Sequence, residues 1–356
     1  MADSPVASLA GPGDVLIVRH GPGRGRDLLI LPQIEEHLAA TRPWLQSRIR
    51  IHATGSPPPS LDGVVAILFL LCDPLKENYP DCFADAVAIA DEARSRGVKL
   101  LNPPENLSNS VKSRQAELWQ RAGIPCASAR RIRSAADLEP AMAALGLPMI
   151  LRSDDQHVQV GVRLCKRIKH VDEAKHTLAF PAVALQLIDV RKRWREAAPD
   201  SLMARYYHKK RAMVYGDIVV NNHVFFSRAP IVGLSNCTFM ADRRRVRQLL
   251  RGIGIGRARW RDTLAADYAH FCSPPDAPDT MLRAVAALGL HLAAIDYASL
   301  PDGEVVLWEA NPYVHLPPWR HAVLAEERHI RERTALQIEA VTGWLERLAQ
   351  GRSRIA

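Results

Sequence analysis

The sequence predicts an α/β (α+β) protein made of more than one unit. Three observations predict it. Residues 14–105 alternate short apolar runs with helical stretches, the pattern of a parallel sheet with crossover helices. Residues 148–226 hold strand-like runs joined by polar turns, the pattern of antiparallel ribbons. Residues 291–310 form a further ribbon around Pro301-Asp302-Gly303, a tight-turn signal. At 356 residues, with 47% hydrophobic and 24% charged, the chain is long enough for two or three domains, each with its own core.

The elements follow in order. Asp14 to Arg19, Val64 to Leu71 and Val98 to Leu101 are the short apolar runs of buried strands. Between the last two, Cys82 to Arg96 spaces Phe83, Val87, Ala90 and Ala93 helically and stops at Gly97. Asn102-Pro103-Pro104 closes this unit. Residues 106–123 read as one helix, stopped by Gly123 and Pro125, and a second helix within Arg131 to Leu145 is capped by Ser134. Pro148 to Arg152, Val160 to Lys166 and Ala182 to Asp189 read as strands. Ala212 to Val220, turning at Gly216-Asp217, and Asn222 to Phe226 suggest a hairpin. Ala277 to Leu290 is a helix, and His291 to Ser299 and Glu304 to Ala310 are strands. His321 to Leu348 is an amphipathic helix or helix pair, read as a homodimer interface or as packing on its own domain. The division expected is 1–105, 106–189 and 190–356.

Composition narrows the function. Met1 to Gly13 has no basic start and no long apolar run, and Val64 to Cys72 is too short to span a bilayer. A cytoplasmic protein without membrane association is expected. The six cysteines form no CxxC pair and no zinc-ligand spacing, so they read as reduced thiols. The net charge is +9, and the basic residues cluster at Arg191–Arg195, Lys209–Arg211 and Arg243–Arg261. Such patches attract phosphates and carboxylates; an acidic small-molecule or peptide substrate is preferred over nucleic acid. Val18-Arg19-His20-Gly21 opens a glycine- and arginine-rich run that reads as a flexible basic loop. No GxxxxGK[ST] loop exists, which excludes nucleotide binding of the P-loop kind.

The most informative segment is Leu292 to Pro312, LAAIDYASLPDGEVVLWEANP. A turn centred on Asp302-Gly303 sets Asp296 directly opposite Glu309, and cross-strand partners share a face. Asn311 joins them, while Ile295, Tyr297 and Trp308 point to the other side. Two carboxylates and an amide oxygen together repel unless a cation resolves them, and magnesium takes such a set with water and phosphate completing its shell.

The pattern IDY…DG…WEANP resembles the metal-binding end of the ATP-grasp superfamily, which includes D-alanine–D-alanine ligase, glutathione synthetase and the ribosomal-protein glutamate ligases. The resemblance implies an ATP-grasp fold: an N-terminal Rossmann-like domain (1–105), a central lid subdomain (106–189) and a C-terminal catalytic subdomain (190–356). It implies that Asp296, Glu309 and Asn311 hold Mg2+, with Glu309 bridging two ions. Lys112 and Arg152 stand at the positions of the family's two phosphate-contacting basic residues. Gln186, Leu187, Ile188 and Asp189 resemble the adenine-binding hinge, with Asp189 toward the ribose. Arg211 and Arg228 resemble the arginines that face the γ-phosphate and the acyl phosphate. The loop Ser153 to Gly161 has the length of the phosphate-covering lid but carries His157, Val158 and Gln159 where glycine and serine are usual.

The function implied is an ATP- and magnesium-dependent ligase that joins a carboxylate to an amine through an acyl phosphate. The rivals are a kinase on the same scaffold, acting on an acidic or polyol substrate, and a non-catalytic ATP-binding module.

Overall fold

The computed structural model describes residues 12–21, 30–154, 161–233, 236–237, 253–254, 256–313 and 328–352. Three four-stranded sheets follow one another along the chain. The first is parallel, with β1 (Asp14–Arg19), β2 (Ile49–Ala53), β3 (Val64–Leu70) and β4 (Lys99–Leu101) in the order β2-β1-β3-β4. The second is antiparallel: β5 (Ala129–Ile132), β6 (Met149–Ser153), β7 (Val162–Cys165) and β8 (Ala182–Gln186) in the order β5-β8-β6-β7. The third, also antiparallel, sets β9 (Tyr207–Tyr215), β10 (Ile218–Ser227), β11 (Leu292–Ser299) and β12 (Val305–Asn311) in the order β10-β9-β11-β12.

In the parallel sheet, Val64 and Ala66 to Leu70 are buried, as a strand covered on both faces requires. The Pro80–Ser95 helix buries Cys82, Ala86, Ile89, Ala90 and Ala93. This stripe is rotated from the predicted one, because Phe83 and Val87 are only half-buried. His20 is no part of a flexible loop. It is buried, its Nε2 accepts from the Cys72 N–H (2.7 Å), and it staples the ends of β1 and β3. Residues 22–29 of that run lie outside the described residues.

The predicted 106–123 helix is broken. Pro104–Leu107 and a short turn at Ser108–Ser110 precede an extended Val111, and only Lys112–Arg121 forms the long helix. Side chains pull the first part elsewhere: Asn106 Nδ2 donates to Gly289 O, Asn109 Nδ2 to Leu288 O, and Ser110 Oγ to Asp73 Oδ2. These hydroxyl and amide groups offer alternatives to the helical ladder. Lys112 therefore opens a helix rather than sitting inside one.

The β9–β10 hairpin turns at Gly216-Asp217 as predicted. Gly216 has φ 62°, and a Cβ there would sit 2.2 Å from the Trp344 indole nitrogen, so no larger residue fits. Trp344 belongs to the Arg328–Ala349 helix, which buries Ile338, Val341, Leu345 and Leu348 in one cluster with Val15 and Ile17 of β1 and Met213 and Tyr215 of β9. The helix thus fills the space between the first and third sheets, rather than packing on its own domain alone. Each such side chain contributes about 1.5–3 kcal/mol before the entropy of ordering is counted. Residues 321–327 lie outside the described residues.

Asn102 ties the parallel sheet to β11. Its Oδ1 accepts from the His291 N–H (2.7 Å) and Leu292 N–H (3.0 Å), and its Nδ2 donates to Leu292 O (2.8 Å). It is fully buried at φ 51°, a left-handed conformation that asparagine tolerates better than most residues. Asn102→Ala leaves three backbone groups unpaired, two of them buried, and we expect a loss of about 3 kcal/mol in unfolding free energy by urea titration. An effect below about 1 kcal/mol contradicts this role.

His208 and His270 are buried and His291 half-buried, each in neutral form. Burial, with Lys210 nearby, lowers His208 to about 3 and His270 to about 4; burial and Lys99 lower His291 to about 4. Each folded value lies below the unfolded value, so the unfolded chain takes up protons that the folded chain refuses. Stability is therefore lost as pH falls from about 6.5 toward 4, by at most about 1.4 kcal/mol per histidine per pH unit. Thermal melting should show a midpoint several degrees lower at pH 5 than at pH 7; equal midpoints contradict the burial of neutral rings.

Candidate active site

The β11–β12 ribbon places the acidic pair. Leu300 N–H donates to Glu304 O (2.8 Å) and Gly303 N–H to Leu300 O (3.1 Å), enclosing a three-residue loop, Pro301-Asp302-Gly303. A turn centred on Asp302-Gly303, as the sequence suggests, has only two residues in its loop. The difference is absorbed by a bulge: Tyr297 pairs with Leu307, but Asp296 pairs with Glu309, leaving Trp308 extra. Asp296 thus does face Glu309, and Asn311 pairs opposite Ala294 two positions along the same face. Trp308 is corrected. The bulge turns it to the Asp296 side, where it packs with Ile188, Val190 and Ala298, while Ile295 and Tyr297 point away into the main core as predicted.

One transverse row of the third sheet carries the chemistry. Reading across its strands, His223 pairs with Arg211, Arg211 with Asp296, and Asp296 with Glu309. Neighbouring strands lie about 4.8 Å apart, so the row runs imidazole, guanidinium, carboxylate, carboxylate over three such steps. His223 stacks on Phe225, its Nδ1 lies 3.1 Å from Asn222 Oδ1, and its buried Nε2 has no hydrogen-bond partner among the described residues. Burial, with Arg211 beside it, holds the His223 ring well below its ordinary value and so neutral.

Both carboxylates are buried and ion-paired. The Asp296 side chain is 3% exposed; it accepts from Arg211 Nε (2.6 Å) and Lys209 Nζ (2.8 Å). Glu309 accepts a two-pronged contact from Arg152 (2.7 and 3.1 Å) and one from Lys112 Nζ (2.5 Å). Burial disfavours the charged form of each acid, but the cations override it. Arg152 and Lys112 hold Glu309 well below the ordinary glutamate value, and Arg211 and Lys209 hold Asp296 down. Four cations against two carboxylates leave the cluster with two excess positive charges.

The Lys112–Arg121 helix is clamped so that Lys112 reaches Glu309. One turn after Lys112, the Gln115 amide closes a pair of hydrogen bonds with Ala310 of β12 (2.9 and 3.2 Å). Asp154, at the end of β6, accepts from the Ser113 N–H (2.9 Å) and hydroxyl (2.6 Å), capping the same helix. Trp119, farther along, is buried and donates to Ala284 O (2.9 Å). Asp73, buried at the end of the parallel sheet, supports the Arg152 charge.

A cleft opens from this cluster between the second and third sheets. Ile150, Val162, Leu185, Leu307 and Trp308 form its apolar walls; Lys112, Arg152, Lys209, Asp296 and Glu309 form its charged end. Gln186, Leu187 and Ile188, the residues of the expected hinge, also line it. Asp189 stands beside it, its carboxylate engaged by Arg191 Nε and Nη2 (both 2.8 Å). Arg228 lies exposed just beyond β10, apart from the row. Of the lid loop, residues 155–160 lie outside the described residues. Of the basic clusters, Arg191 lies over the Tyr207 ring (3.5 Å) and Arg193 pairs with Asp302 and Glu304, while residues 243–251 are likewise outside the described residues.

The donor set suits a hard divalent cation bound together with an anion. Two opposed carboxylates and the half-buried Asn311 offer oxygen ligands, and the four surrounding cations match phosphate oxygens. Sequence reasoning missed Lys209, Gln115, Asp73, Asp154 and His223. Lys209 is readable by alternation from Arg211 once β9 is known to begin at Tyr207.

No protein-family model matches the chain, and no curated protein matches it significantly. Solved structures do. The ATP-grasp ligase PsnB, complexed with a phosphomimetic variant of its minimal precursor, Mg and ADP, aligns with a TM-score of 0.54 at 14% identity, over 94% of this chain and 99% of that one. The macrocyclase MdnC of Microcystis aeruginosa MRC, bound with precursor peptide MdnA, aligns with a TM-score of 0.53 at 12% identity, over 93% of this chain and 99% of that one. Among the described residues, no helix is long and apolar enough to cross a membrane. The mixed α/β architecture, with its cleft between two antiparallel sheets, is the ATP-grasp fold.

Proposed function

We propose that this chain is an ATP- and magnesium-dependent ligase that joins a carboxylate to an amine through an acyl phosphate, releasing ADP and phosphate. The observation that carries the reading is the transverse row: two buried carboxylates, opposed across one rung and bracketed by four cations, at the charged end of an apolar cleft.

In this reading adenine lies between the apolar walls against the hinge, Gln186 to Ile188, with Asp189 exchanging Arg191 for the ribose hydroxyls. Lys112 and Arg152 leave Glu309 for phosphate oxygens, placing fixed positive charge where the transferring phosphoryl group builds up negative charge. Asp296, Glu309 and Asn311 would hold Mg2+, which would supply Lewis-acid neutralisation of the phosphates. Arg211, next in the row, faces the substrate carboxylate and the acyl phosphate it becomes, and Arg228, exposed just beyond β10, is assigned the same anion-facing role by the resemblance alone. The amine follows as the second substrate. Its nitrogen attacks the acyl carbon, the carbon–oxygen bond to phosphate breaks, and the departing phosphate carries off the amine proton. No side-chain nucleophile is required. PsnB and MdnC were solved with precursor peptides; with the excess of cations over carboxylates around the acidic pair, this favours an acidic peptide or small acid as the carboxylate partner.

The test is ADP and free-phosphate release with ATP and Mg2+ over pools of amino acids, dipeptides and acidic peptides, with Asp296→Asn alongside. Free phosphate should appear only when acid and amine are both present, and the variant should lose at least about 100-fold in rate, about 2.7 kcal/mol of barrier. Equal substrate-dependent rates in both proteins overturn the site assignment. Phosphate retained on an organic product identifies a kinase. Absence of turnover, with Mg2+ and a nucleotide analogue still raising the melting temperature, identifies a binding module.

A further inference from the structure

Every oxygen of the two carboxylates already has a partner. Asp296 Oδ1 accepts from Arg211 Nε (2.6 Å), and Oδ2 from Lys209 Nζ (2.8 Å) and Arg211 Nη2 (3.0 Å). Glu309 Oε1 accepts from Lys112 Nζ (2.5 Å) and Arg152 Nη2 (3.1 Å), and Oε2 from Arg152 Nη1 (2.7 Å). A bare divalent cation that takes these oxygens comes to lie beside four basic side chains in a buried setting, where like charges repel strongly unless one of them moves away. A bare polyphosphate meets the converse penalty, because it draws the cations away and stands next to uncovered carboxylates. Metal and polyphosphate arriving together exchange every contact at once: cations to phosphate oxygens, carboxylates to metal. A magnesium–nucleoside triphosphate complex carries net negative charge near neutral pH, which the excess of cations over carboxylates in the cluster favours.

Lys209 is the group built for this exchange. The strand alternation sends its neighbour Lys210 to the opposite face, onto Asp276 (2.7 Å), while Lys209 lines the cleft. It holds Asp296 by a single contact on a flexible four-carbon stem, whereas Arg211 holds the same acid by two. We propose that Lys209 is a phosphate-contacting residue and the movable half of a cation lock on Asp296. The lock makes the site refuse magnesium alone and accept it only with a nucleoside polyphosphate. This inference rests on the nucleotide reading of the cleft, and its test separates the two.

The test is isothermal titration of the full chain with MgCl2 alone, with AMPPNP in EDTA, and with AMPPNP in the presence of Mg2+, supported by melting temperatures. The wild type should bind AMPPNP at least about 100-fold tighter with Mg2+ than in EDTA, and should give neither heat nor a melting shift with Mg2+ alone at millimolar concentration. Lys209→Met should weaken Mg2+–AMPPNP binding about tenfold or more and, with Asp296 half-released, gain a melting shift from Mg2+ alone. Lys209→Arg should keep the wild-type pattern. A gain of metal binding cannot arise from misfolding. Tight binding of Mg2+–AMPPNP by a wild type that binds bare Mg2+ equally well overturns the lock and leaves the nucleotide reading standing. Unchanged Mg2+–AMPPNP affinity in Lys209→Met overturns the role of Lys209. No nucleotide binding under any condition overturns both.

Discussion

Two carboxylates that would repel one another are held ionised, side by side and out of water, by four basic side chains drawn from three separate stretches of the chain. Lys112 comes from a helix, Arg152 from the second sheet, and Lys209 and Arg211 from the third. Removing the acids leaves four like charges facing each other; removing the bases buries unpaired acids, which costs several kcal/mol each. The arrangement is therefore weak evidence for stability. Under the proposed function its present partners stand in for a bound state, with lysine and arginine in the place of a metal and carboxylate in the place of phosphate.

The rest of the molecule positions these six groups. The bulge at Trp308 brings Glu309 into line with Asp296 and lays an indole along the cleft wall. The Gln115 amide closes the exposed edge of β12, and the Cys126–Leu307 bridge continues that closure. Asp154 links the second sheet to the helix that carries Lys112, so the groups bonded to Glu309 belong to one connected unit. The Arg328–Ala349 helix and Asn102 join the parallel sheet to the third sheet, and Asp73 extends from the former toward Arg152.

What could be read from the sequence was local. Asp296 and Glu309 lie in one hairpin, so period-two alternation and a turn signal suffice to oppose them. The reading held at the acids although the turn was placed one residue out, because the bulge restored the register beyond Trp308. β5 was overlooked because Ala129–Ile132 carries two exposed arginines between two buried ends, too short for a period to show. The break before Lys112 depends on partners more than a hundred and fifty residues away, at Leu288 and Gly289. Lys209 was seen only as one member of a basic run, since its pairing with Asp296 spans two strands whose register no single segment encodes. Remote hydrogen bonds and cross-sheet ion pairs decide these features, and neither leaves a periodic trace.

Where a metal and a nucleotide settle tests the site most directly. A crystal structure of the chain grown with Mg2+ and AMPPNP should show metal density between Asp296 and Glu309, the phosphates against Lys112 and Arg152, and adenine beside Gln186 to Ile188. Nucleotide elsewhere on the surface, or in the cleft with both carboxylates still bound to their four cations, would contradict it.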